Sequence, residues 1–151
     1  MKVIFVCTGN TCRSPIAEGF LNAKRLFGIN AESRGLMASG ERVSEKSVKA
    51  CLKFGIDISS HISRQFTKED LSADKIICLS KNHADFLLSL GADKSKISVL
   101  GNGICDPYGQ EQEVYNECAK DILREIDALV YSGFFTSVNI ESASEKDAKD
   151  I

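Results

Sequence analysis

The chain has 151 residues, of which 43% are hydrophobic and 26% charged, and its formal net charge is -2 at pH 7. These values are typical of one globular domain with a hydrophobic core, and they argue against nucleic acid as a partner, because binding to a phosphate backbone needs clustered Lys and Arg. No apolar run approaches the roughly 18 residues of a membrane span, and the N-terminal VIFVC is shorter than the core of a signal peptide, so we expect a cytoplasmic protein without membrane contacts.

The first predicted elements are a buried strand and a helix. KVIFVC, residues 2–7, is a short β-branched apolar run that predicts a strand covered on both faces. After a polar loop, Pro15 marks the start of the helix, and Gly28 is expected to end it. The apolar side chains that recur on one face of this helix are Ile16, Phe20, Ala23 and Phe27.

A second strand and helix follow. Residues 31–34 form a short extended piece, and Ser44 is placed to cap a helix that ends at Gly55. The side chains expected to point inward from this helix are Val48, Cys51 and Leu52. The polar, turn-rich segment 56–71 is predicted to contain a short helix from Thr67.

The second half of the chain repeats the alternation. KIICLS (75–80) is predicted as a buried strand, and ISVL (97–100) is predicted as a further strand. Between them Ser80 caps a helix that ends at Gly91, with apolar positions at Ala84, Leu87, Leu88 and Leu90. The last helix is predicted over 112–131, with apolar positions at Val114, Cys118, Ile122, Ile126 and Leu129.

Alternating strands and helices predict an α/β three-layer sandwich, in which a central parallel sheet of about four strands has helices on both faces. We expect one domain over residues 1–133 and a polar tail over 134–151, with Phe134 and Phe135 packing back onto the domain. Ligands of such sheets bind outside the carboxyl ends of the strands. The loops that hold Cys7 and Asp106 are both expected at that edge.

VCTGNTCRSPIAEG, residues 6–19, joins the first strand to the first helix. The backbone N–H groups of a tight turn at a helix N-terminus converge into a nest for an anion. Gly9 and Asn10 are expected to take the left-handed backbone angles that such a concave turn needs. The Arg13 guanidinium can hold a tetrahedral oxyanion through two parallel hydrogen bonds.

Cys7 is the candidate nucleophile of this loop, because it lies beneath the bound phosphate and can form a covalent phosphocysteine. Its pKa is expected to be depressed by amide dipoles and Arg13, and Ser14 is expected to donate a hydrogen bond to its thiolate. A Walker loop is excluded, since that loop ends in Gly-Lys-Ser/Thr. A buried cysteine alone, or a turn at the start of a helix alone, would favour a purely structural role. The combination Cys-x5-Arg-Ser between a strand and a helix is a far more specific sign of this chemistry.

Phosphoryl transfer also needs an acid for the leaving group and a base for water. The carboxylate that the sequence offers is Asp106 in CDPYG, where Pro107 stiffens the loop and Tyr108 is expected to form an apolar wall of the pocket. Alone, Asp-Pro is also an ordinary turn.

Together these two loops resemble those of the low-molecular-weight protein phosphatase family, and GIDISSHISRQ (55–65) is similar to the middle segment of its members. The resemblance extends to about Tyr131. It implies Cys7 as nucleophile, Arg13 as phosphate clamp and Asp106 as acid and base, with no metal or cofactor. It also implies phosphorylated proteins as substrates, inorganic phosphate as product, and a Cys12 that bonds reversibly to Cys7. The residues expected around the substrate are Thr8, Gly9, Asn10, Thr11, Cys12, Ser14 and Tyr108.

Thr11 is the informative departure within this resemblance. Tyrosine-directed members commonly carry an isoleucine-like residue there, whereas members similar to the bacterial protein-arginine phosphatases carry threonine. A hydroxyl at the rim can hydrogen-bond a guanidinium, so we predict phosphoarginine as the preferred substrate. Two alternatives stay open: Thr11 satisfies a loop amide, or Tyr108 stacks on phosphotyrosine.

Two other functions share parts of the pattern. A thioredoxin-coupled arsenate reductase would carry a similar loop, but those proteins have Gln where this chain has Pro15. They also pass oxidation to further cysteines after the middle strand, whereas here Ser80 and the helix after it supply no relay partner for Cys78. A non-catalytic phosphate-binding module would not need Cys7 and Asp106 together.

The remaining cysteines and histidines are expected to be structural. The six cysteines are predicted to be reduced, because the sequence shows no signal peptide and has enough apolar residues to form a core. None of them has the paired spacing of zinc ligands, so no zinc is expected. His61 is interpreted as a hydrogen-bonded loop residue, and His83 is expected to face solvent.

Overall fold

A four-stranded parallel sheet organises the chain, of which the computed structural model describes residues 1–135. The strands lie in the order β2-β1-β3-β4 and comprise β1 (Lys2–Cys7), β2 (Asn30–Gly35), β3 (Lys75–Cys78) and β4 (Ile97–Val99). Strand β1 is central, and all of its side chains after Lys2 are buried. This burial explains why KVIFVC is continuously apolar rather than alternating.

Helices cover both faces of the sheet, which confirms the predicted three-layer α/β sandwich. The helices are α1 (Arg13–Ala23), α2 (Glu45–Leu52), α3 (Lys81–Ser89) and α4 (Gln112–Tyr131), with short 3-10 turns at Lys68–Ser72 and Lys94–Lys96. Val3 and Phe5 of β1 pack into the larger core with α1, α2 and α4. Ile4 and Val6 point to the opposite face, where α3 packs.

Several predicted boundaries and caps are confirmed. Ser44 and Ser80 occupy the N-cap positions of α2 and α3, although neither side chain makes a capping hydrogen bond, and α4 spans the predicted range. The short helix after Thr67 is a 3-10 turn with a capping box between Thr67 and Asp70. None of the helices in residues 1–135 is long and apolar enough to cross a membrane.

The first helix differs from its prediction at both ends. It begins at Arg13, two positions before Pro15, and it ends at Ala23. Arg25 takes a φ of 50°, so the chain leaves the helical path before Gly28, and Phe27 is 94% exposed instead of buried. Other side chains wrongly predicted to be inward, and found exposed, are Ala23, Leu52, Leu90 and Val114.

The chain after α4 returns to the domain, as predicted for its two phenylalanines. Phe135 is buried in the main core, and Phe134 contacts it edge to face with a centroid separation of 5.1 Å. The rest of the predicted polar tail, residues 136–151, lies outside the described residues.

Candidate active site

A cavity of about 260 Å³ lies at the carboxyl end of β1 and gathers most of the predicted site. The predicted residues that line it are Cys7, Thr8, Gly9, Thr11, Cys12, Arg13, Asp106 and Tyr108. Asn10 and Ser14 are fully buried behind the loop. The sequence analysis missed three further lining residues, Met37, Ser39 and Glu41, which all come from the segment between β2 and α2.

Asn10 is the structural centre of the loop. It takes a φ of 58°, and its amide nitrogen Nδ2 donates to Ser14 Oγ at 2.8 Å and to Ser33 Oγ at 2.9 Å. Its Oδ1 accepts from the Arg64 backbone N–H at 2.9 Å. Gly9 has no positive φ, so the prediction that it takes left-handed angles is wrong. Asn10 alone supplies the sharp turn, and its side chain is an acceptable host for that conformation.

The Cys7 sulfur receives hydrogen bonds from two sides. Ser14 Oγ lies 2.9 Å from Cys7 Sγ, and the Asn10 backbone N–H donates to the sulfur at 3.3 Å. Because Asn10 Nδ2 already donates to Ser14 Oγ, the single Ser14 hydroxyl proton is free to point at the sulfur. The distance between Ser14 Oγ and Cys7 Sγ is therefore compatible with the predicted hydrogen bond.

The predicted depression of the Cys7 pKa is wrong for the pocket as it stands. Burial raises the pKa of the Cys7 thiol, because removing a thiolate from water is unfavourable. The hydrogen bonds from Ser14 and Asn10 and the charge of Arg13 lower that pKa but do not outweigh burial. Each of these contacts increases the fraction of Cys7 that is a thiolate, so removing one of them tests its assigned effect on the Cys7 pKa.

Replacing Ser14 with alanine is expected to move the Cys7 pKa further upward, because a hydrogen bond to the thiolate is lost. At neutral pH we expect alkylation by iodoacetamide to slow by about tenfold, since hydrogen bonds to charged groups contribute roughly 1.5–3 kcal/mol. The measurement is the alkylation rate against pH, whose midpoint should rise. Ser47→Ala is the matched control, because Ser47 is also buried beside the loop but bonds to the Cys12 carbonyl. An unchanged midpoint in Ser14→Ala contradicts the assigned contact.

Arg13 and Asp106 meet across the cavity. Arg13 is 6% exposed, and its Nη1 donates to the Ile104 carbonyl at 2.9 Å. Its Nη2 lies 3.6 Å from Asp106 Oδ2. Asp106 Oδ1 accepts from the Tyr108 backbone N–H at 3.1 Å, and the Asp106 side chain is about half exposed. The pocket thus pairs a fixed cation with a carboxylate on a more accessible loop.

His83 is buried rather than solvent-facing, which corrects the sequence prediction. Its Nε2 lies 2.9 Å from Thr8 Oγ1 and its Nδ1 lies 2.9 Å from Ser80 Oγ. Burial, and then the charge of Arg13, lower the pKa of His83 to about 4, so the ring is neutral at pH 7. A neutral imidazole can donate through one nitrogen and accept through the other. Here it connects the loop of residues 7–14, called the phosphate loop below, to the start of α3.

His61 confirms its interpretation as a hydrogen-bonded loop residue. Its Nε2 lies 3.0 Å from the backbone oxygen of Asn10. The segment that contains it also supplies the Arg64 N–H to the Asn10 side chain. The polar stretch between α2 and β3 therefore braces the loop from behind.

Gly35 is a functional position that sequence reasoning missed. A Cβ at this residue would lie 2.7 Å from the Thr8 carbonyl oxygen and 3.0 Å from Asn10 Cβ. The next two residues of the chain donate their backbone N–H groups to the Cys7 and Thr8 carbonyls, at 3.0 and 2.8 Å. Only glycine permits this close approach, and no motif around it signals that need.

Thr11 and Cys12 also line the cavity. Thr11 Oγ1 lies 3.8 Å from Cys12 Sγ, and the Thr11 backbone oxygen accepts from the Ser44 N–H at 2.8 Å. Within residues 1–135, no backbone amide is bonded to the Thr11 hydroxyl, so its expected alternative role of satisfying a loop amide is not observed. Cys12 Sγ also lies 3.7 Å from the Tyr115 hydroxyl.

All six cysteines are free. Burial raises the pKa of three of them to about 12, namely Cys51, Cys78 and Cys118. They are protonated at neutral pH and lack the exposure that redox chemistry needs. In the described part of the chain, no group of three or more His, Cys, Asp and Glu residues is arranged to hold a metal ion.

A cysteine beneath an amide-lined loop, facing an arginine and an aspartate at the carboxyl edge of a parallel sheet, defines a class of α/β proteins that act on phosphate groups. The family profile "Low molecular weight phosphotyrosine protein phosphatase" matches residues 2–144. The chain belongs to this family and is an enzyme, a low molecular weight protein phosphatase.

Relatives carry two functional names. A low molecular weight protein-tyrosine-phosphatase, PtpB, of Staphylococcus haemolyticus is 34% identical over 136 residues, which cover 85% of this chain and 97% of that protein. A protein-arginine-phosphatase of Geobacillus stearothermophilus is 32% identical, over 85% of this chain and 93% of the relative.

Similar solved structures also include both arginine phosphatases and tyrosine phosphatases. The YwlE arginine phosphatase of Geobacillus stearothermophilus superposes with a TM-score of 0.84 at 30% identity, covering 91% of this chain and 96% of that one. A low molecular weight protein tyrosine phosphatase of T. tengcongensis gives 0.81 at 37% identity, with 87% and 99% covered. Similarity alone therefore does not choose between phosphoarginine and phosphotyrosine.

Proposed function

We propose that this protein hydrolyses phosphorylated side chains of proteins through a phosphocysteine intermediate, with phosphoarginine preferred over phosphotyrosine. The observation that carries the proposal is that Cys7, Arg13 and Asp106 line one cavity at the carboxyl end of β1. The names of the relatives support protein substrates, since they include a tyrosine and an arginine phosphatase.

In the first step the Cys7 thiol passes its proton to the dianionic phosphoryl group of the substrate, and the resulting thiolate attacks phosphorus in line with the leaving group. Arg13 and the loop amides stabilise the charge on the three non-bridging oxygens. As the sulfur–phosphorus bond forms, the bond from phosphorus to the leaving nitrogen or oxygen breaks, and that atom takes a proton from Asp106. The products are a phosphocysteine at Cys7 and the dephosphorylated side chain.

In the second step water attacks the phosphocysteine. Asp106, now a carboxylate, accepts a proton from that water, and the sulfur–phosphorus bond breaks. The Ser14 hydroxyl, 2.9 Å from the sulfur, stabilises the departing thiolate. Inorganic phosphate leaves, and no cofactor or metal enters either step.

The preference for phosphoarginine is supported by the polar side chains among those that line the cavity. Thr11, Ser39 and Glu41 line it, and the larger apolar contributions come from Met37 and Tyr108, which are 78% and 75% exposed. The oxygen atoms of these polar side chains can accept hydrogen bonds from a guanidinium group.

Replacing Thr11 with isoleucine tests this preference. We expect kcat/KM for a phosphoarginine peptide to fall and that for a phosphotyrosine peptide to rise, changing their ratio by about tenfold, the effect of one to two hydrogen bonds. Thr11→Val is the matched control, because it removes the hydroxyl and keeps the shape. If the hydroxyl selects, valine lowers phosphoarginine turnover as well. Equal ratios in all three proteins remove Thr11 as a selector.

Phosphotyrosine is the second candidate substrate, and the position of Tyr108 favours it. This ring lies on the cavity wall and is exposed enough to stack on a substrate ring. Arsenate reduction has less support. Cys78 is buried in β3 with its pKa raised to about 12, so it is poorly placed to receive oxidation from the loop.

A further inference from the structure

Glu41 lines the cavity with Cys7 and Arg13, and the mechanism above does not use it. A carboxylate beside a site for a phosphate dianion is unfavourable, because like charges repel. Glu41 is exposed, and none of the ion pairs within residues 1–135 involves it, although Arg13 lines the same cavity. Its cost is offset if the bound substrate carries a positive charge next to its phosphate.

The position of Glu41 is fixed by a buried serine. The Glu41 N–H donates to Ser63 Oγ at 2.8 Å, and the Ser63 N–H donates to the Glu41 carbonyl at 2.8 Å. Ser63 itself is 3% exposed. The adjacent Arg42 pairs with Ile62 in an isolated antiparallel bridge. The backbone that presents Glu41 to the cavity is therefore held at several points.

The carboxylate is also oriented. Ser39 Oγ donates to Glu41 Oε1 at 2.9 Å, and both residues line the cavity. This bond engages one oxygen and leaves acceptor capacity on the carboxylate for a ligand. Glu41 is thus an anchored acceptor on the wall of the pocket, and the loop that carries it is separate from the phosphate loop.

We propose that Glu41 is a specificity-determining residue, which selects phosphoarginine by accepting hydrogen bonds from its guanidinium group. The inference rests on the proposed function, since it concerns the substrate of the same site. Phosphoarginine keeps N–H donors and a positive charge beside the phosphoryl group, and a carboxylate binds both. The ring of phosphotyrosine has neither, so for that substrate Glu41 contributes only repulsion toward the phosphate.

The test compares wild type with Glu41→Gln and Glu41→Lys, using phosphoarginine and phosphotyrosine peptides of otherwise equal sequence. Glu41→Gln is expected to lower kcat/KM for phosphoarginine by about tenfold, mainly through KM, because charge-assisted hydrogen bonds are roughly twice as strong as neutral ones. Turnover of phosphotyrosine should stay the same or rise. Glu41→Lys should lower kcat/KM for phosphoarginine further and raise that for phosphotyrosine further. Raised salt should reduce the difference between wild type and the variants in kcat/KM for phosphoarginine.

Glu45→Gln is the matched control, because Glu45 is an exposed glutamate of the same region, in the first turn of α2, and does not line the cavity. It should leave both substrates unchanged. The deciding quantity is kcat/KM for phosphoarginine divided by kcat/KM for phosphotyrosine. A fall of this ratio in Glu41→Gln supports the inference, and an unchanged ratio overturns it, whichever substrate the wild type prefers.

Failure of the proposed function is seen separately. If the proposed preference is wrong, wild-type kcat/KM is higher for the phosphotyrosine peptide than for the phosphoarginine peptide, whatever the variants do. A wild type that does not hydrolyse phosphoarginine at all overturns both the proposed preference and the role of Glu41.

Discussion

Replacement of Cys7 by serine is expected to reduce hydrolysis of p-nitrophenyl phosphate by on the order of 10⁴-fold or more, as for the loss of other enzyme nucleophiles. The sulfur lies at the cavity, and a serine hydroxyl in the same buried position stays protonated and attacks phosphorus poorly. Release of p-nitrophenolate measures turnover. In the wild type, rapid acid quenching should reveal a phosphoryl group on the peptide that contains Cys7.

Cys12→Ser is the control for this experiment. Cys12 lines the same cavity and is also buried, but Cys7, and not Cys12, accepts the hydrogen bonds of Ser14 and the Asn10 amide. We expect this variant to retain most of its activity. Because both changes exchange one buried sulfur for oxygen, matched melting temperatures exclude unfolding as the cause. An unchanged rate in Cys7→Ser removes the covalent mechanism.

The layers of the fold follow from local signals. Continuous apolar runs predict strands covered on both faces, and 3.6-residue periodicity predicts the helices between them. The early end of the first helix was not predicted, and a local backbone conformation explains it. Arg25 adopts a left-handed conformation without being a glycine, so the first helix ends early and Phe27 is exposed. Nothing in the sequence around Arg25 marks it as a helix end.

The site was predictable where it is contiguous in sequence. Cys7 to Ser14 span one loop, and the types and spacing of their side chains indicate phosphate chemistry. Residues that support this loop from a distance were missed or misplaced. His83 contacts Thr8 across 75 positions of the chain, so helical position alone wrongly predicted that it faces solvent.

The direction in which the Cys7 pKa shifts from its ordinary value could not be predicted from the sequence, for a similar reason. Dipoles and charges near the sulfur can be listed from the motif, but burial depends on the whole fold and has the larger effect here. Glu41 shows the same limit. Its place in the cavity depends on Ser63, which lies 22 positions further along the chain.

Replacing Asp106 with asparagine is expected to lower kcat/KM for phosphoarginine by about 10²–10⁴-fold, the usual effect of losing a general acid. Asparagine cannot protonate the leaving nitrogen. The loss should be much smaller for p-nitrophenyl phosphate, because p-nitrophenolate leaves without a proton. Since kcat/KM reports on the steps up to formation of the phosphocysteine, this comparison isolates the acid role.

The base role of Asp106 is read from the second step. Without a carboxylate to accept the proton of water, breakdown of the phosphocysteine slows, so kcat falls for both substrates and p-nitrophenolate appears in a burst. Asp85→Asn on the exposed face of α3 is the control and should change neither parameter. The Asp106 side chain is 52% exposed, so the variant should melt like wild type. An equal loss of kcat/KM for both leaving groups means that Asp106 acts by orienting Arg13, 3.6 Å away, and not by donating a proton.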